Sequence, residues 1–403
     1  MLDPQKTQTR RNSSAAGDPE SEGRTPVYSG ERKLNRTRYN RVVRVTIVGG
    51  GIIGCAVGHE LASRGASVRI IDMRGTGRGA TQASAGILAP HIEGHIDALL
   101  RLGVASLALY DGFIARASED SRQAIEYERC GTLHVANTDA AAMELAMAAR
   151  RLAHEGIAHE LMPGHEARRL EAGLSPRLIS ALLLPMHGYV RAAELTFALA
   201  AAAERRGAEF ITANVDEICA AGNGVAVKTS AGRIEGDVLI LAAGSWSGRV
   251  PPVKPPVRPV RGQLLHLHFN ERPLSHVVWG TDCYLVPWRN GALLVGATVE
   301  EAGFDETATA DGVARLLGAS AELLTTVPQA RFETVRVGLR PGTPDELPLI
   351  GPASTMPGVY YATGHYRNGV LLAPLTAKLV ADLVTGGTPD PALDLVRPDR
   401  FGL

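Results

Sequence analysis

Three glycines and an aspartate carry the first chemistry readable in the chain. Gly49, Gly51 and Gly54 fit G-x-G-x-x-G within residues 42–72, VVRVTIVGGGIIGCAVGHELASRGASVRIID. In that pattern the first glycine permits a tight turn and the second lets backbone approach a pyrophosphate. The third lets the following helix pack close on the strand. The helix start then offers free N–H groups and partial positive charge to phosphates. Asp72, 23 residues after Gly49, is placed to accept from ribose hydroxyls. These residues predict dinucleotide binding. Other chemistry-capable groups carry less. HIEGH (His91 to His95) spaces two histidines at i and i+4 but holds Gly94 and is not HExxH, so zinc is not expected. His266 and His268 alternate on one strand face and read as packed or solvated. GSWSG (Gly244 to Gly248) places Trp246 where a hydrolase elbow needs its serine. Cys55, Cys130, Cys219 and Cys283 lie far apart with no CxxC, and read as reduced thiols in a reducing, cytoplasmic compartment. No metal site is expected.

The elements that must position these groups follow from apolar periodicity. The β-branched run from Val42 to Val48 reads as a strand buried on both faces. A helix follows, with Ile53, Val57 and Leu61 on its apolar face, and Gly65 stops it as an αL cap. A second strand, Val68 to Ile71, leads to Asp72, and the small-residue loop GTGRGATQASAGILAP follows it. Helices are predicted over 97–117 and 138–155, with strand GTLHVAN (Gly131 to Asn137) between them. A helix beginning near Ala192 ends at Gly207, before strand Glu209 to Thr212. A hairpin then feeds the apolar strand Val238 to Ala242, which ends at Gly244. Between 261 and 300, QLLHLHF, DCYLVPW and GALLVGAT alternate like antiparallel strands of a second sheet. After a helix over 310–325 comes strand GVYYATG, the turn HYRNG and the helix LLAPLTAKLVADLVTG. Pro374 must sit in that helix's first turn or kink it.

Composition bounds the partners. The 403 residues suffice for two or three domains, with 45% hydrophobic residues and 44 glycines, as in ordinary α/β chains. Lys plus Arg and Asp plus Glu are 42 each, so no net field draws nucleic acid or acidic lipid. No run of 18 consecutive apolar residues occurs, so no membrane-spanning helix is expected. Residues 1–40 are rich in Ser, Arg, Gly and Pro without a period, and disorder is expected. Arg10 and Arg11 are not followed by a hydrophobic region, so export is not expected.

At GATQASAGILAP, VGLRPGTPDELPLIG and GHYRNGVLLAP the chain resembles the glycine-oxidase branch of the D-amino-acid oxidase family of FAD enzymes. The resemblance covers about residues 42–390. It implies an α/β fold: a discontinuous Rossmann-like FAD-binding domain with an inserted α+β substrate domain built on an antiparallel sheet. The implied boundaries are a disordered extension at 1–40, the FAD-binding domain at 41–120, 186–258 and 334–392, the substrate domain at 121–185 and 259–333, and a tail at 393–403. FAD is implied as a non-covalent cofactor. Ile52 and Ile53 match the turn over the pyrophosphate, and Asp72 with Met73 the adenosine ribose segment. Ala80, Thr81, Ala85, Gly86 and Ile87 match the loop running along the diphosphate to the flavin, where Ile87 also faces substrate. Val215 matches the residue meeting adenine, and Gly244 joins the cofactor set. His365, Tyr366, Arg367, Asn368, Gly369, Val370 and Leu371 match the turn under the pyrimidine end of the flavin. Arg340 matches the arginine taking the substrate carboxylate, Tyr284 its hydroxyl partner, and Arg367 the position whose carbonyl faces the substrate amine. Asp72 stands where glutamate is commoner, and Arg191 where many relatives carry an acid.

A planar guanidinium offers parallel N–H groups to a carboxylate, and a phenol adds one donor. That pairing suits a carboxylate; the reaction that the resemblance implies is oxidative deamination of glycine, or of another small amine or D-amino acid. By that resemblance the neutral amine would lose hydride from Cα to flavin N5 without a protein acid or base. Water would hydrolyse the resulting imine to glyoxylate and ammonia, and oxygen would reoxidise the flavin to give hydrogen peroxide. The implied partners are a small amino acid and molecular oxygen, and the implied setting is thiamine thiazole synthesis. Relatives commonly form homotetramers, so a homo-oligomer is expected. The rival readings are a dehydrogenase using another acceptor, a sarcosine, proline or D-amino-acid enzyme, and a non-catalytic FAD-binding scaffold.

Overall fold

The computed structural model describes residues 42–403, apart from 94, 95 and 389; the expected disorder of 1–40 lies outside the described residues. Its first sheet has six strands, in the order Leu349–Pro352, Val359–Thr363, Val238–Leu241, Arg44–Val48, Ser67–Asp72, Glu209–Thr212. The strand before the glycine turn is central, and only the Leu349–Pro352 edge pairs antiparallel. The sheet is covered on both faces, which is why its strands are apolar throughout. Val45, Ile47, Val68, Ile70 and Ile240 pack against the helices Ile52–Ser63, Asp97–Ser121, Ala192–Arg205 and Gly369–Thr385. On the other side Val48, Ile71, Leu239 and Leu241 meet Ile218, Val225 and Val227 of a three-stranded meander, Val215–Ala221, Gly224–Thr229 and Gly232–Gly236.

The second sheet has eight strands, ordered Arg331–Gly342, Arg258–His268, Ala292–Gly296, Tyr284–Pro287, Val277–Trp279, Thr132–Ala136, Ser180–Leu184, Glu160–Pro163. It is antiparallel except where Val277–Trp279 joins Thr132–Ala136 in parallel. That join stitches together the two sequence segments that build the sheet. Helix Ala310–Leu323 covers it through Leu316 and Leu323.

Two helices carry features that bear on the core. Asp97–Ser121 is, among the described residues, long and apolar enough to cross a membrane, although charged residues such as Arg101 and Asp111 interrupt its apolar runs. Its apolar face, with Leu102, Tyr110 and Phe113, is buried in the core beside the other helices. Pro374 sits beyond the first turn of Gly369–Thr385. A proline there cannot donate to the carbonyl four residues back, and the Tyr110 hydroxyl donates to that carbonyl, Val370, at 2.6 Å. One residue on, the Ser106 hydroxyl donates to the Leu371 carbonyl (2.7 Å) and accepts from the Leu375 N–H (3.3 Å). The long helix thus repairs the ladder that the proline interrupts.

Candidate active site

A cavity of about 750 Å³ lies over the carboxyl ends of the parallel strands. Val48, Asp72, Ala213, Ala242 and Thr363, at or one residue past the five strand ends, all line it. That edge is where open α/β sheets bind ligands, and the volume falls in the range of ~300–1,000 Å³ usual for cofactor sites.

The glycine turn forms its floor. Gly49 has φ +117°, and a Cβ there would lie 2.3 Å from the Ala242 carbonyl oxygen. A Cβ on Gly54 would lie 1.8 Å from the Gly49 carbonyl oxygen, so this glycine serves helix packing and does not line the cavity. Gly51 differs: its Cβ would meet only Thr81 Oγ1, at 3.4 Å. The space Gly51 keeps open therefore belongs to the cavity, as a close-approaching pyrophosphate requires. The Ile52 N–H, at the start of helix Ile52–Ser63, donates to the Thr81 hydroxyl at 3.1 Å. Asp72 accepts from the Gly50 and Arg74 N–H groups, both at 2.7 Å. Each carboxylate oxygen can accept a second bond, so the shorter acid is held by backbone at the cavity wall. Ile53, Met73, Ala80, Ala85, Ile87, Val215 and Gly244 line the same cavity. Gly86 has φ +73° and approaches the Val190 carbonyl so closely that a Cβ would lie 1.8 Å from it.

The other wall comes from the second sheet. Arg340, on the edge strand Arg331–Gly342, lines the cavity, and its Nη1 donates to the carbonyls of Thr298 (2.9 Å) and Arg261 (3.3 Å). A guanidinium has five N–H donors, so donors remain for a ligand. Burial lowers the Arg340 pKa from its usual value, with Tyr284 and Glu93 opposing the shift; an arginine so placed stays charged and gains from an anionic ligand. Burial pushes the Tyr284 phenol up to about 12 against the pull of Arg340, so it is a donor at neutral pH. Trp279 packs on Tyr284 with ring centroids 5.2 Å apart.

Neighbouring strands make room for this pair. A Cβ on Gly262 would lie 2.3 Å from Arg340 Nη1, and one on Gly296 would lie 2.4 Å from the Tyr284 hydroxyl. Sequence reasoning missed both glycines, although glycine inside a strand signals close approach. It also missed Trp279, Trp246, Arg74, Arg249 and Glu93, all of which line the cavity.

The turn from His365 closes the cavity. Tyr366 adopts a left-handed φ of +48°, and its N–H donates to the Pro341 carbonyl at 2.9 Å, tying the turn to the arginine's strand. Asn368 is the N-cap of helix Gly369–Thr385, and His365 to Val370 all line the cavity. Leu371 does not: it is buried in the helix core. The Arg367 side chain pairs with Glu93 at 3.2 Å, which anchors the residue whose carbonyl was assigned to the substrate amine. His365 donates to or accepts from Thr376 Oγ1 at 2.9 Å, and burial lowers its pKa to about 3, so it stays neutral.

Described residues of the histidine and serine motifs make contacts within the protein. His91 meets His187 at 3.0 Å, and His95 is outside the described residues. Ser245 donates to the Leu339 carbonyl, and Ser247 pairs with Thr363. Arg191 pairs with Glu194 at 2.6 Å and lies 4.1 Å above the Trp288 ring.

Residues 44–383 match the family described as FAD dependent oxidoreductase, DAO. The chain belongs to the DAO family of FAD-dependent oxidoreductases. It is 34% identical to a glycine oxidase of Geobacillus kaustophilus over 84% of this chain and 92% of that one. The crystal structure of glycine oxidase from the same organism has a TM-score of 0.85 at 33% identity, covering 89% of this chain and 99% of that one. A bifunctional protein ThiO/ThiG of Nostoc sp. is 34% identical over 87% of this chain but 54% of its own length. The chain therefore spans about half the length of the bifunctional relatives it matches. The glycine cradle at Gly51, the backbone-held Asp72 and a cavity reaching from the meander to the His365 turn fit FAD.

Proposed function

We propose that this protein oxidatively deaminates glycine to glyoxylate and ammonia with formation of hydrogen peroxide. The observation that supports this best is the convergence of Arg340 and Tyr284 on the cavity that also contains the glycine turn. Bound FAD would supply the two-electron acceptor for hydride from Cα and pass the electrons on to oxygen. The chain's own part is orientation. Arg340 takes the carboxylate with its remaining N–H groups and Tyr284 adds a phenol donor, which fixes Cα relative to the ring. The carbonyl of Arg367, in a turn held by Glu93 and Pro341, is assigned to the amine. Tyr284, with its raised pKa, is not a base at neutral pH, and His365 is buried and neutral. Glu93, the carboxylate the site offers nearby, is engaged by Arg367. The amine is taken up neutral, and once hydride has left, water hydrolyses the imine to glyoxylate and ammonia.

The likeness to glycine oxidases and to ThiO/ThiG proteins supports a small primary amine as substrate and a place in thiamine thiazole synthesis. Oxygen uptake should accompany stoichiometric glyoxylate formation from glycine, and should exceed that with sarcosine, proline and D-alanine at equal concentration. Oxidation of glycine with an artificial acceptor but no oxygen uptake would make the protein a dehydrogenase. A faster reaction with any of the other amines would reassign the substrate.

A further inference from the structure

We propose that residues 299–309 form a clasp that retains the adenosine half of the cofactor, acting through Arg74, Trp246 and Arg249. The inference rests on the FAD reading above. The segment leaves the second sheet beyond strand Ala292–Gly296 and ends at Thr309, the N-cap of helix Ala310–Leu323. Glu306 takes the Arg74 guanidinium in a two-pronged pair, Nη1 to Oε1 at 3.0 Å and Nη2 to Oε2 at 2.7 Å. That guanidinium lies 4.1 Å above the Trp246 ring. Phe304 packs on Trp246 with centroids 5.7 Å apart, and Arg249 lies 3.5 Å above the Phe304 ring. Phe304 and Glu306 do not line the cavity, whereas the three residues they grip do. Two side chains of the second sheet's connecting segment thus brace the rim of a cleft built by the first.

The grip reaches the ribose position. The Arg74 N–H donates to Asp72 Oδ1 at 2.7 Å, so fixing the Arg74 side chain also steadies the carboxylate assigned to the ribose. The segment is stiff at its root. Arg261, its side chain buried, pairs with Glu300 at 2.5 Å and Asp305 at 2.7 Å and donates to the Thr307 carbonyl at 3.2 Å. Gln263 accepts from the Thr309 N–H at 2.9 Å and donates to its hydroxyl at 2.8 Å. A bidentate arginine fork held against an aromatic face is geometrically specific. Opening the clasp must break the ion pair and separate the rings before the adenosine end can leave.

The test follows FAD release from the holoprotein by the rise in flavin fluorescence, in the wild type and in Phe304→Ala/Glu306→Gln. The clasp predicts release on the order of tenfold faster in the variant, from the lost ion pair and ring contacts. It also predicts that FMN, which lacks the adenosine half, binds both apoproteins equally. Equal FAD release from both proteins, or an equal loss of FMN and FAD affinity in the variant, would overturn it. If the double variant does not fold, Glu306→Gln alone decides by the same two readings. A wild type that retains no FAD would instead sink the cofactor reading beneath the proposal.

Discussion

Arg340 and Tyr284 are placed by what their neighbours lack. Gly262 and Gly296 leave the volume that the guanidinium and the phenol occupy, so the carboxylate site proposed above depends on four residues. Arg340→Ala should reduce kcat/KM for glycine by about 3 kcal/mol of transition-state binding or more, since a buried charge-assisted anchor is lost. Steady-state kinetics with an unchanged specificity constant would remove Arg340 from the site. Tyr284→Phe should cost less, because the arginine remains. Gly262→Ala should leave the fold intact yet lower kcat/KM on the order of 100-fold, because a Cβ at 2.3 Å must displace the guanidinium. If this variant is as active as the wild type, the guanidinium does not depend on that space. That Arg340 and Tyr284 belong to one cavity was legible only through a motif resemblance, which also supplies their proposed roles, since an isolated arginine or tyrosine carries no signal of its own. The glycines were present in the sequence as strand interruptions, but their meaning requires knowing which side chain lies across the ladder.

At the scale of elements, the first sheet was the most legible part. Its central strands are apolar on both faces, its turn demands glycine at two crowded positions, and Gly65, with φ +84°, ends the helix as expected. The edge strand carrying Arg340 was not recognised, because RFETVRVGLRPG has exposed residues on both faces near its start and ends in Pro and Gly. The repair of helix Gly369–Thr385 was equally hidden, since it depends on Tyr110 and Ser106 from a helix more than 250 residues earlier. Tyr110→Phe should therefore lower stability by about 1–3 kcal/mol, by leaving the Val370 carbonyl buried and unpaired. The denaturant midpoint should fall accordingly, and an unchanged midpoint would mean that the carbonyl finds another donor.

At the scale of the molecule, two sheets built from interleaved segments meet around one cavity. Composition excluded a strong charge field but could not show that meeting, because the sheets share no local sequence signal. Burial also shapes the pH response. His365 and His187 are both held neutral in the fold, each with its pKa lowered to about 3. Unfolded, they would bind protons below about 6.5, so between 6.5 and 3 the unfolded chain binds more protons and stability falls as pH falls. Each should cost on the order of 1 kcal/mol at pH 5.5. The melting temperature should therefore drop between pH 7.5 and 5.5, before the paired carboxylates begin to titrate; a flat profile there would mean that these histidines are hydrated.

The most direct test of the account is the visible spectrum of the FAD-loaded protein before and after anaerobic addition of glycine. Glycine should bleach the flavin band, Arg340→Ala should hold flavin but bleach far more slowly, and admitting air should restore the band with release of hydrogen peroxide. A flavin band that glycine leaves unchanged while a chemical reductant bleaches it would contradict the proposed substrate and the role of the Arg340–Tyr284 site.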